Sequence, residues 1–430
     1  MDVLVAGGGI AGLTLALTCH EIGVPVRVLE AAPEIQPLGL GINLQPEAVR
    51  ELFDLRLEST ILGHSIETTR LVLYDSAGVE IWSEPRGTAA GCRWPQLSVH
   101  RGDLQMMLLA AVIDRLGPEA VVEGRSIAGF AHARDGVRVE VTDLEGSVEQ
   151  VDAPVLIGAD GLHSAVRSTM FPGEGTPRWG GSVLWRGMAH VEPRPELSAF
   201  TIVGDATQRF VTCPLSAPDP TTGLQPVNWI AEIAFDPLRG WRRGDWNTRV
   251  RAGEFVDRFA DWRFHWLDVP ELVTRSETVF EYPMVDRDPV DHWVHGSVAL
   301  VGDAAHPMYP VGSNGASQAI VDVRVLGAAF AEHGIGEPAL REYQSRLLAR
   351  RSEMTMTNRE LGPGSVLGTH DRDLALGFVR MLDMSGAGRE RFASDLRAAA
   401  SSEIEALNSR PPTIDRTNST STRSTGRSSG

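Results

Sequence analysis

The first thirty residues contain the feature that most restricts how this chain can fold. A strand-like run, DVLVA at 2–6, leads into the string GGGIAG at 7–12, followed by a helical pattern over 10–22 and a second strand-like run, VPVRVLE, over 24–30. A strand, a tight turn, a helix and a second strand in so few residues predict a βαβ unit of a parallel sheet. The glycines have the spacing G-x-G-x-x-G, which is typical of a dinucleotide-binding turn.

Each glycine of this turn has a physical task in that interpretation. Gly7 permits the tight turn, Gly9 lets a pyrophosphate approach the backbone, and Gly12 lets the helix pack on the sheet. Glu30 ends the second strand, where it can accept hydrogen bonds from the unphosphorylated ribose of FAD or NAD. The residues assigned to the dinucleotide here are Gly7, Gly9, Ile10, Ala11, Gly12, Glu30 and Ala31. The alternative is a glycine turn that serves packing alone.

The charged residues and cysteines exclude several other functions. All forty basic residues are arginine, so neither the phosphate-binding lysine of a Walker-type site nor a Schiff-base lysine can exist. The net charge of −16 disfavours binding to nucleic acid or to an anionic membrane surface. The three cysteines form no CxxC pair and the histidines form no HxxxH or HExxH pattern, so we expect no metal site and no disulfide framework.

The N-terminal segment is apolar but lacks a basic region, and Asp2 is acidic. We therefore interpret it as folded structure rather than as a signal peptide. No other run of apolar residues is long enough to span a bilayer, so we expect no membrane association and a cytoplasmic protein. The sequence is compatible with either a monomer or a homodimer.

The pattern of apolar residues divides the chain into an α/β part and a β-rich part. The β-rich part holds many Trp and Phe residues between turn clusters and predicts a mostly antiparallel sheet, apart from a helix over 253–262. The predicted units are a Rossmann-like dinucleotide-binding domain (1–65, 97–177 and 279–357), a β-rich substrate domain (66–96 and 178–278), a helical C-terminal region (358–410) and a disordered tail (411–430).

Four further segments place glycine, proline and charge at the ends of predicted strands. They are PLGLGINLQPEAV (37–49), SVHRGDLQ (98–105), GADGLHSAVR (158–167) and GDAAHPMYPVGSNGASQA (302–319). Arg101 stands where a strand gives way to a helix, and Asp160 and Asp303 each follow a buried strand. Taken singly, each segment has an ordinary alternative: a loop, a surface arginine, an Asp-capped turn, and a proline–glycine loop.

Together with the glycine turn, these segments resemble the fingerprints of the single-component, FAD-dependent aromatic hydroxylases. In that family G-x-G-x-x-G, a DG motif and a GD motif occur in this order. The resemblance covers about residues 2–357 and includes the strings WSEPRG, WRGM, PVNWI, ADWRFHWLDV and YPMVDRDPVDHW. Within the family it points to the branch that acts on phenazine carboxylates. It implies FAD as cofactor, with NADPH or NADH as a transient electron donor.

The resemblance also implies roles for individual residues. Glu30 binds the adenosine ribose, and the backbone near Arg125 borders the adenine. Asp160 supports FAD and the nicotinamide donor, and Asp303 accepts a hydrogen bond from the ribityl chain. Beyond the glycine turn, the residues assigned to FAD are Gly41, Ile42, Arg101, Gln105, Arg125, Asp160, Asp303, Gly312, Asn314, Gly315 and Ala316.

The loop before the last long apolar helix lies along the flavin ring in this interpretation. Asn314, Gly315 and Ala316 begin the helix, whose free N–H groups can face the flavin edge that becomes negative on reduction. Gly312 permits close approach of the backbone to the ring. The resemblance implies that the carbonyl of Pro310 contacts the substrate.

The implied reaction forms a flavin C4a-hydroperoxide from O2 and hydroxylates a small aromatic or heteroaromatic substrate, with or without decarboxylation. It requires no side-chain nucleophile. Candidates to line the substrate pocket are Trp185, Phe210, Trp229, Tyr309 and Pro310, although the rings of the β-rich part can equally be plain core. A related FAD-dependent reductase or dehydrogenase, and a protein that only senses a dinucleotide, are the alternatives.

Overall fold

Strands and helices alternate through the N-terminal part of the chain, and strands then dominate up to residue 286. The computed structural model describes residues 2–205, 207–235, 248–309, 315–361, 390 and 401–414. The strands are β1 Val3–Ala6, β2 Val26–Glu30, β3 Gly41–Leu44, β4 Ser65–Glu67, β5 Arg70–Tyr74, β6 Glu80–Pro85, β7 Leu97–His100, β8 Val121–Glu123, β9 Arg125–Ala133, β10 Gly136–Asp143, β11 Val148–Ala153, β12 Leu156–Gly158, β13 Arg178–Val191, β14 Phe200–Gly204, β15 Gln208–Pro214, β16 Gln225–Ala234, β17 Thr248–Val250, β18 Val279–Asp286, β19 Val294–His295 and β20 Val298–Leu300. The α-helices are α1 Ile10–Glu21, α2 Pro46–Asp54, α3 Glu58–Leu62, α4 Arg101–Leu116, α5 Ala165–Met170, α6 Val269–Thr274, α7 Gly315–His333 and α8 Glu337–Leu361, and residues 401–409 are also helical.

A parallel sheet organises the α/β part. Its strand order is β19-β20-β12-β1-β2-β8, and the strands from β20 to β8 are parallel to one another. All four residues of β1 are buried, as expected for a parallel strand that is covered on both faces. The predicted unit of strand, glycine turn, helix and strand is therefore confirmed as β1, α1 and β2. Helix α1 packs against both α4 and α7.

A second, larger sheet has the order β17-β18-β13-β16-β15-β14-β5-β6. Its neighbours are antiparallel except β14 and β5, which pair in parallel and so join the two β-rich segments of the sequence. Strand β18 completes this sheet, although the predicted boundary assigned residues 279–286 to the dinucleotide-binding part. The rest of the predicted division into domains stays a prediction.

Two small antiparallel sheets connect these parts. One consists of β3, β7 and β4, and the other of β11, β10 and β9. In the first, the buried amide of Asn43 bonds to the Ser98 hydroxyl (2.8 Å), and its carbonyl accepts from Gln96 (2.8 Å) and Thr68 (3.2 Å). This network satisfies the polar groups that fix β3, the strand that carries Gly41.

The prediction of a helix over 253–262 is wrong. The segment instead forms two short 3₁₀ turns, Ala252–Glu254 and Val256–Phe259. Phe255 and Phe259 are 1% and 0% exposed, and their rings insert into the core of the large sheet. Packing of these two rings therefore overrides the local helical pattern.

The segment 401–414 crosses back over the α/β part. The carbonyl of Pro411 accepts a hydrogen bond from Arg50, the Thr413 hydroxyl donates to Glu51 (2.6 Å), and Ile414 is buried. The predicted disorder therefore fails for residues 411–414, because one large apolar side chain finds a place in the core; the remainder of that tail lies outside the described residues. In the described part of the chain, every helix is too short or too polar to cross a lipid bilayer.

Candidate functional site

The glycine turn between β1 and α1 has the tight geometry that the sequence predicts. Gly7 has a positive φ of 104°, and a Cβ there would lie 2.5 Å from the carbonyl oxygen of Ala159. A Cβ at Gly12 would lie only 1.9 Å from the Gly7 carbonyl oxygen. A Cβ at Gly9, in contrast, would have no atom of the described residues within 4 Å. Gly7 and Gly12 are thus demanded by the fold, whereas Gly9 leaves the backbone open to a ligand.

Helix α1 presents an uncompensated N-terminus at this opening. Its N-cap residue, Gly9, supplies no side-chain acceptor, and the first turn contains no acidic residue. Ile10 and Ala11, the first two helical residues, are each 8% exposed. The free N–H groups and positive dipole end of such a helix form an anion site of the kind that binds a pyrophosphate.

Glu30, at the end of β2, holds the turn from the other side. Its carboxylate accepts hydrogen bonds from the backbone N–H groups of Gly8 (2.7 Å) and Ala32 (2.8 Å), and the exposed Ala31 lies between β2 and Ala32. The N–H of Gly124 donates to the Ala32 carbonyl (2.8 Å), so the start of β9 at Arg125 lies beside this acid. The structure thus brings together the ribose-binding and adenine-binding candidates.

Helix α4 supplies two of the predicted residues. The buried Gln105 donates its Nε2 hydrogen to the carbonyl of Gly8 (2.8 Å), so it braces the glycine turn directly. Arg101, the first residue of α4, lies against Gly39 and donates to the Leu38 carbonyl (3.2 Å). No carboxylate among the described residues forms an ion pair with Arg101, which leaves its charge available to a phosphate.

The DG motif is organised around a helix cap. The Asp160 carboxylate accepts from the Ser164 hydroxyl (2.5 Å) and from the N–H groups of Ala165 (2.8 Å) and Val166 (3.2 Å) at the start of α5. Burial raises the pKa of Asp160, and these hydrogen bonds oppose that rise. The Asp-capped turn that the sequence left open is therefore present. The role of Asp160 toward FAD and the donor stays a prediction.

The GD motif lies between α1 and α7. Gly302 has a φ of 56°, and a Cβ there would lie 3.1 Å from Ala319 and 3.5 Å from Ala11. The Asp303 side chain is exposed, yet the surrounding protein raises its pKa, and the positive charges of His306 and Arg101 offset part of that rise. A carboxylate that is exposed but has protein on most sides is expected at the floor of a cleft.

Helix α7 begins beside this acid. A Cβ at Gly315 would lie 3.8 Å from an Asp303 carboxylate oxygen, and Ala316 follows in the first turn. The N-terminus of α7 is therefore close to Asp303. The predicted residues Pro310, Gly312 and Asn314 lie outside the described residues.

Two buried ion networks that the sequence reasoning missed hold the GD turn. Arg167 of α5 donates to the carbonyls of Ala304 (2.9 Å) and Ala305 (2.7 Å) while it pairs with Glu174 (2.5 Å). Its place seven residues after the DG aspartate is the only sequence signal for this role. This arginine ties the DG helix to the GD turn.

The second network comes from α7 and α8. The buried carboxylate of Asp322 accepts from the N–H of Gly302 (3.2 Å), from Arg351 Nε (3.0 Å), and is bonded to His306 Nε2 (2.5 Å). Burial acts to raise the pKa of Asp322, but the positive charges of His306 and Arg351 outweigh it and lower that pKa. His306 is thus a structural partner of Asp322.

One face of the large sheet, called the sheet wall below, carries a small apolar cluster. Leu184, Met284 and Tyr309 are buried together on it, and Ile230 and Tyr282 pack against them. Burial raises the pKa of the Tyr309 hydroxyl to about 12. Of the predicted substrate residues that are described, Tyr309 is the one on this face.

The glycine turn and the GD motif together are called the α/β wall below. Strand β3 joins this part to the sheet wall through Gly41. The N–H of Gly41 donates to the Asn228 side chain (2.9 Å), and its carbonyl accepts from Arg186 Nη2 (2.7 Å). A Cβ at Gly41 would lie 2.5 Å from Leu215, so only glycine fits here. The partly buried Ile42 follows on β3. Gly41 thus fixes the sheet face directly above the α/β part.

Trp185, Phe210 and Trp229 do not lie on that face. They are 4%, 0% and 0% exposed and belong to the core on the other side of the sheet. Phe210 stacks on Trp229 with ring centroids 5.7 Å apart, and Trp185 stacks on Phe255 at 4.7 Å. Residues 184 and 185 point to opposite faces because strand side chains alternate. We therefore correct the assignment of these three rings to the pocket: they are core residues.

The residues present fit a bound dinucleotide. Gly9 and the start of α1 provide an open anion site, Glu30 provides an acid at the ribose position, and Asp303 and Gly315 extend the site toward the sheet wall. No cluster of His, Cys, Asp and Glu in the described ranges could hold a metal ion. Fold and site define a dinucleotide-dependent oxidoreductase.

Comparison with known proteins identifies the class more closely. The chain matches the FAD binding domain family over residues 1–357 and belongs to that family. FAD is its cofactor. Its relatives are aromatic-ring hydroxylases, and this chain is likewise an aromatic-ring monooxygenase. The family predicted from the glycine, DG and GD motifs is therefore confirmed.

Two curated relatives and one solved structure illustrate the similarity. A phenazine 1,6-dicarboxylic acid hydroxylase of Lysobacter antibioticus is 41% identical over 363 residues, which cover 84% of this chain and 89% of that protein. A 3-amino-4-hydroxybenzoate 2-monooxygenase of Streptomyces platensis is 34% identical over 84% of this chain and 87% of its own length. The structure of Klebsiella pneumoniae HpxO with FAD and uric acid has a TM-score of 0.73 at 23% identity and covers 94% of this chain and 97% of that one.

Proposed function

We propose that this FAD-dependent monooxygenase uses NADPH or NADH and O2 to hydroxylate an aromatic or heteroaromatic carboxylic acid, with a phenazine carboxylate as the first candidate. Two relatives whose names state an aromatic acid as substrate, at 41% and 34% identity, support this substrate class. Decarboxylation during hydroxylation is part of the same proposal where the attacked carbon bears the carboxylate.

The observation that carries the proposal is that strand β3 connects two unlike walls. The backbone-lined α/β wall contains Gly9, Asp303 and Gly315, and the sheet wall contains Leu184 and Tyr309. Polar backbone groups suit a dinucleotide, whereas apolar and aromatic side chains suit a flat ring. A flat substrate between them would face the cofactor.

The residues of the chain have distinct tasks in this reaction. Gly9 and the start of α1 would hold the pyrophosphate, Glu30 the adenosine ribose and Asp303 the ribityl chain. The N–H groups at the start of α7, at Gly315, would face the edge of the flavin that becomes negative on reduction. When bound, FAD supplies the acceptance of hydride from NAD(P)H and the activation of O2.

The sheet wall would orient the ring and exclude water. Leu184, Met284 and Tyr309 are 5%, 2% and 4% exposed, so their positions are fixed by packing and a ring would contact only the small part of this surface that stays exposed. Orientation of the reacting carbon and exclusion of water are the protein's main contributions when a cofactor performs the oxygen chemistry. The sequence has one glycine fingerprint, and we propose that the nicotinamide donor binds transiently without a second one.

The test is oxygen transfer from labelled O2. The FAD-loaded protein is incubated with NADH or NADPH, with ¹⁸O2, and with phenazine 1,6-dicarboxylate or 3-amino-4-hydroxybenzoate, and products are analysed by mass spectrometry. We expect one ¹⁸O per product and nicotinamide oxidation in equal amount. Oxidation of the nicotinamide with a reduced or dehydrogenated product that carries no ¹⁸O would instead support the reductase or dehydrogenase alternative.

A variant pair tests the proposed cofactor contact. Asp303→Ala should weaken FAD binding about tenfold or more, because a charged hydrogen-bond acceptor is removed. Asp114→Ala changes an exposed aspartate on α4 and should leave FAD binding unchanged. Equal FAD affinity in both variants would contradict the role of Asp303.

A further inference from the structure

Arg186 is a partly buried cation that the cofactor site does not use. It projects from β13 on the face that carries Leu184, because residues two apart in a strand share a face. Its Nη2 donates to the Gly41 carbonyl (2.7 Å), and its guanidinium lies over the Tyr282 ring, 5.9 Å from the ring centroid. Its Nε is buried and has no hydrogen-bond partner among the described residues.

Arg186 also lacks an acidic partner in the part of the chain that the structure describes. Burial lowers the pKa of Arg186; Tyr282 and Cys213 oppose that effect, and the like charge of Arg101 adds to it. Other buried arginines are paired: Arg209 with Glu232 at 2.7 Å on the same sheet, Arg351 with Asp322 at 3.0 Å, and Arg324 with Glu21 at 2.5 Å. A desolvated cation without a counter-ion is costly, so an anion supplied from outside would be stabilised here.

The surroundings of Arg186 define the shape of that anion. Leu184, Met284, Tyr309 and the Tyr282 ring form an apolar and aromatic surface beside the guanidinium. A flat ring would lie on this surface, and a carboxylate on the ring would reach the planar fork of an arginine. The unpartnered Nε belongs to the side-on edge of this fork, which a carboxylate would engage.

The phosphates of the cofactor are a less suitable partner for Arg186. Arg101 stands at the start of α4 on the glycine-turn side of β3, where Gly39 and Gln105 also lie. Arg186 reaches β3 from the large sheet instead. The two cations thus reach β3 from different elements, α4 and the large sheet, although their charges interact.

We propose that Arg186 pairs with the carboxylate of the substrate and thereby selects aromatic acids over neutral rings of the same shape. The inference rests on the proposed function, because it concerns the substrate of that site. Arg186 is then a specificity-determining residue, and Arg101 strengthens the positive potential around it.

Binding of a matched pair of ligands tests this inference without turnover. The probes are phenazine 1,6-dicarboxylate and unsubstituted phenazine, titrated into FAD-loaded protein in the absence of NAD(P)H, with the change in flavin absorbance as signal. The variants are Arg186→Gln, which keeps a polar side chain but removes the charge, and Arg186→Lys, which keeps the charge but loses the fork. The control is Arg178→Gln, an exposed arginine at the start of the same strand that pairs with Asp288 on the surface.

We expect Arg186→Gln to weaken binding of the dicarboxylate about 10- to 150-fold, as loss of a charge-assisted hydrogen bond does, and to change phenazine binding less than about threefold. Arg186→Lys should recover part of the loss, and Arg178→Gln should match the unchanged protein. An equal effect on both ligands, no effect on either, or loss of FAD from Arg186→Gln would overturn the inference. If ¹⁸O transfer fails while the Arg186-dependent preference for the acid persists, the inference stands and only the proposed reaction is wrong.

Discussion

The α/β wall and the sheet wall of this site are built by different physical means. In the α/β wall, backbone contacts decide: Gly7 and Gly12 have no room for a Cβ, and Gly9 leaves the start of α1 open. The sheet wall is formed by side chains: Leu184 and Arg186 share one face, while Trp185 between them lies in a separate core on the other face. A wall made of backbone can hold the same cofactor in many relatives, whereas a wall made of side chains can change with the substrate.

The largest expected effect is the loss of stability when a Cβ is added at one of two glycines of the α/β wall. Gly12→Ala places a Cβ 1.9 Å from a backbone oxygen, and we expect a loss of about 4 kcal/mol or more in the free energy of unfolding. Gly9→Ala, three residues earlier, meets no atom within 4 Å and should cost about 1 kcal/mol or less. Urea denaturation of both variants measures the difference.

The same pair separates folding from cofactor binding. Gly9→Ala should fold normally yet bind FAD at least about tenfold more weakly, because its methyl group fills the approach to the pyrophosphate. A Gly9→Ala protein with unchanged FAD affinity would show that the pyrophosphate lies elsewhere. Stable Gly12→Ala protein would contradict the packing of α1 on β1.

The next effect concerns the ion network beneath the GD turn. Asp322→Asn leaves Arg351 and His306 without their shared carboxylate, and we expect a loss of about 3–5 kcal/mol at pH 7. The pKa of Asp322 is lowered from 3.8 in the folded state. Its contribution is therefore complete above pH ~4 and is lost as the pH falls through the folded-state pKa.

The free energies of unfolding of the unchanged protein and of Asp322→Asn should consequently converge on acidification below pH ~4. Urea denaturation at pH 7, 5 and 3.5 measures this. A difference that stays constant over this range would mean that Asp322 is not held in its ionised form by the network.

The sequence predicted the α/β wall well because its demands are local. The string GGGIAG encodes a turn of six residues, and Glu30 follows at a fixed distance along the same βαβ unit. The DG and GD motifs likewise each encode one turn. Their mutual contacts, such as that of Arg167 with Ala304, connect residues 137 apart and carry no local signal.

The sheet wall could not be predicted in the same way. Which of Leu184 and Trp185 faces the site depends on the register of β13 with β16 and β18, and alternation alone does not state which face is inside. Aromatic residues were the natural candidates for a flat substrate, yet the largest of them form the other core. Arg186, within the quoted string WRGM, gave no sign of its missing partner, which is a property of the folded structure.

The smallest predicted effect concerns the hydrogen bond between Gly41 of β3 and Asn228 of the large sheet. Asn228→Ala removes the acceptor of the buried Gly41 N–H and should cost about 1–3 kcal/mol of stability, with weaker substrate binding. Asn408→Ala removes comparable bonds to Gly91 and Arg93 on the exposed surface, where water replaces them, and should cost about 0.5 kcal/mol or less. Equal losses of stability in chemical denaturation would mean that water reaches the contact between Gly41 and Asn228.

The most direct test of the account is a crystal structure of the protein with FAD and phenazine 1,6-dicarboxylate. We predict the pyrophosphate against Gly9 at the start of α1, the flavin beside Asp303 and Gly315, and a carboxylate within about 3 Å of the Arg186 guanidinium. FAD bound away from α1, or an aromatic acid bound with Arg186 facing the flavin and both carboxylates in solvent, would contradict it.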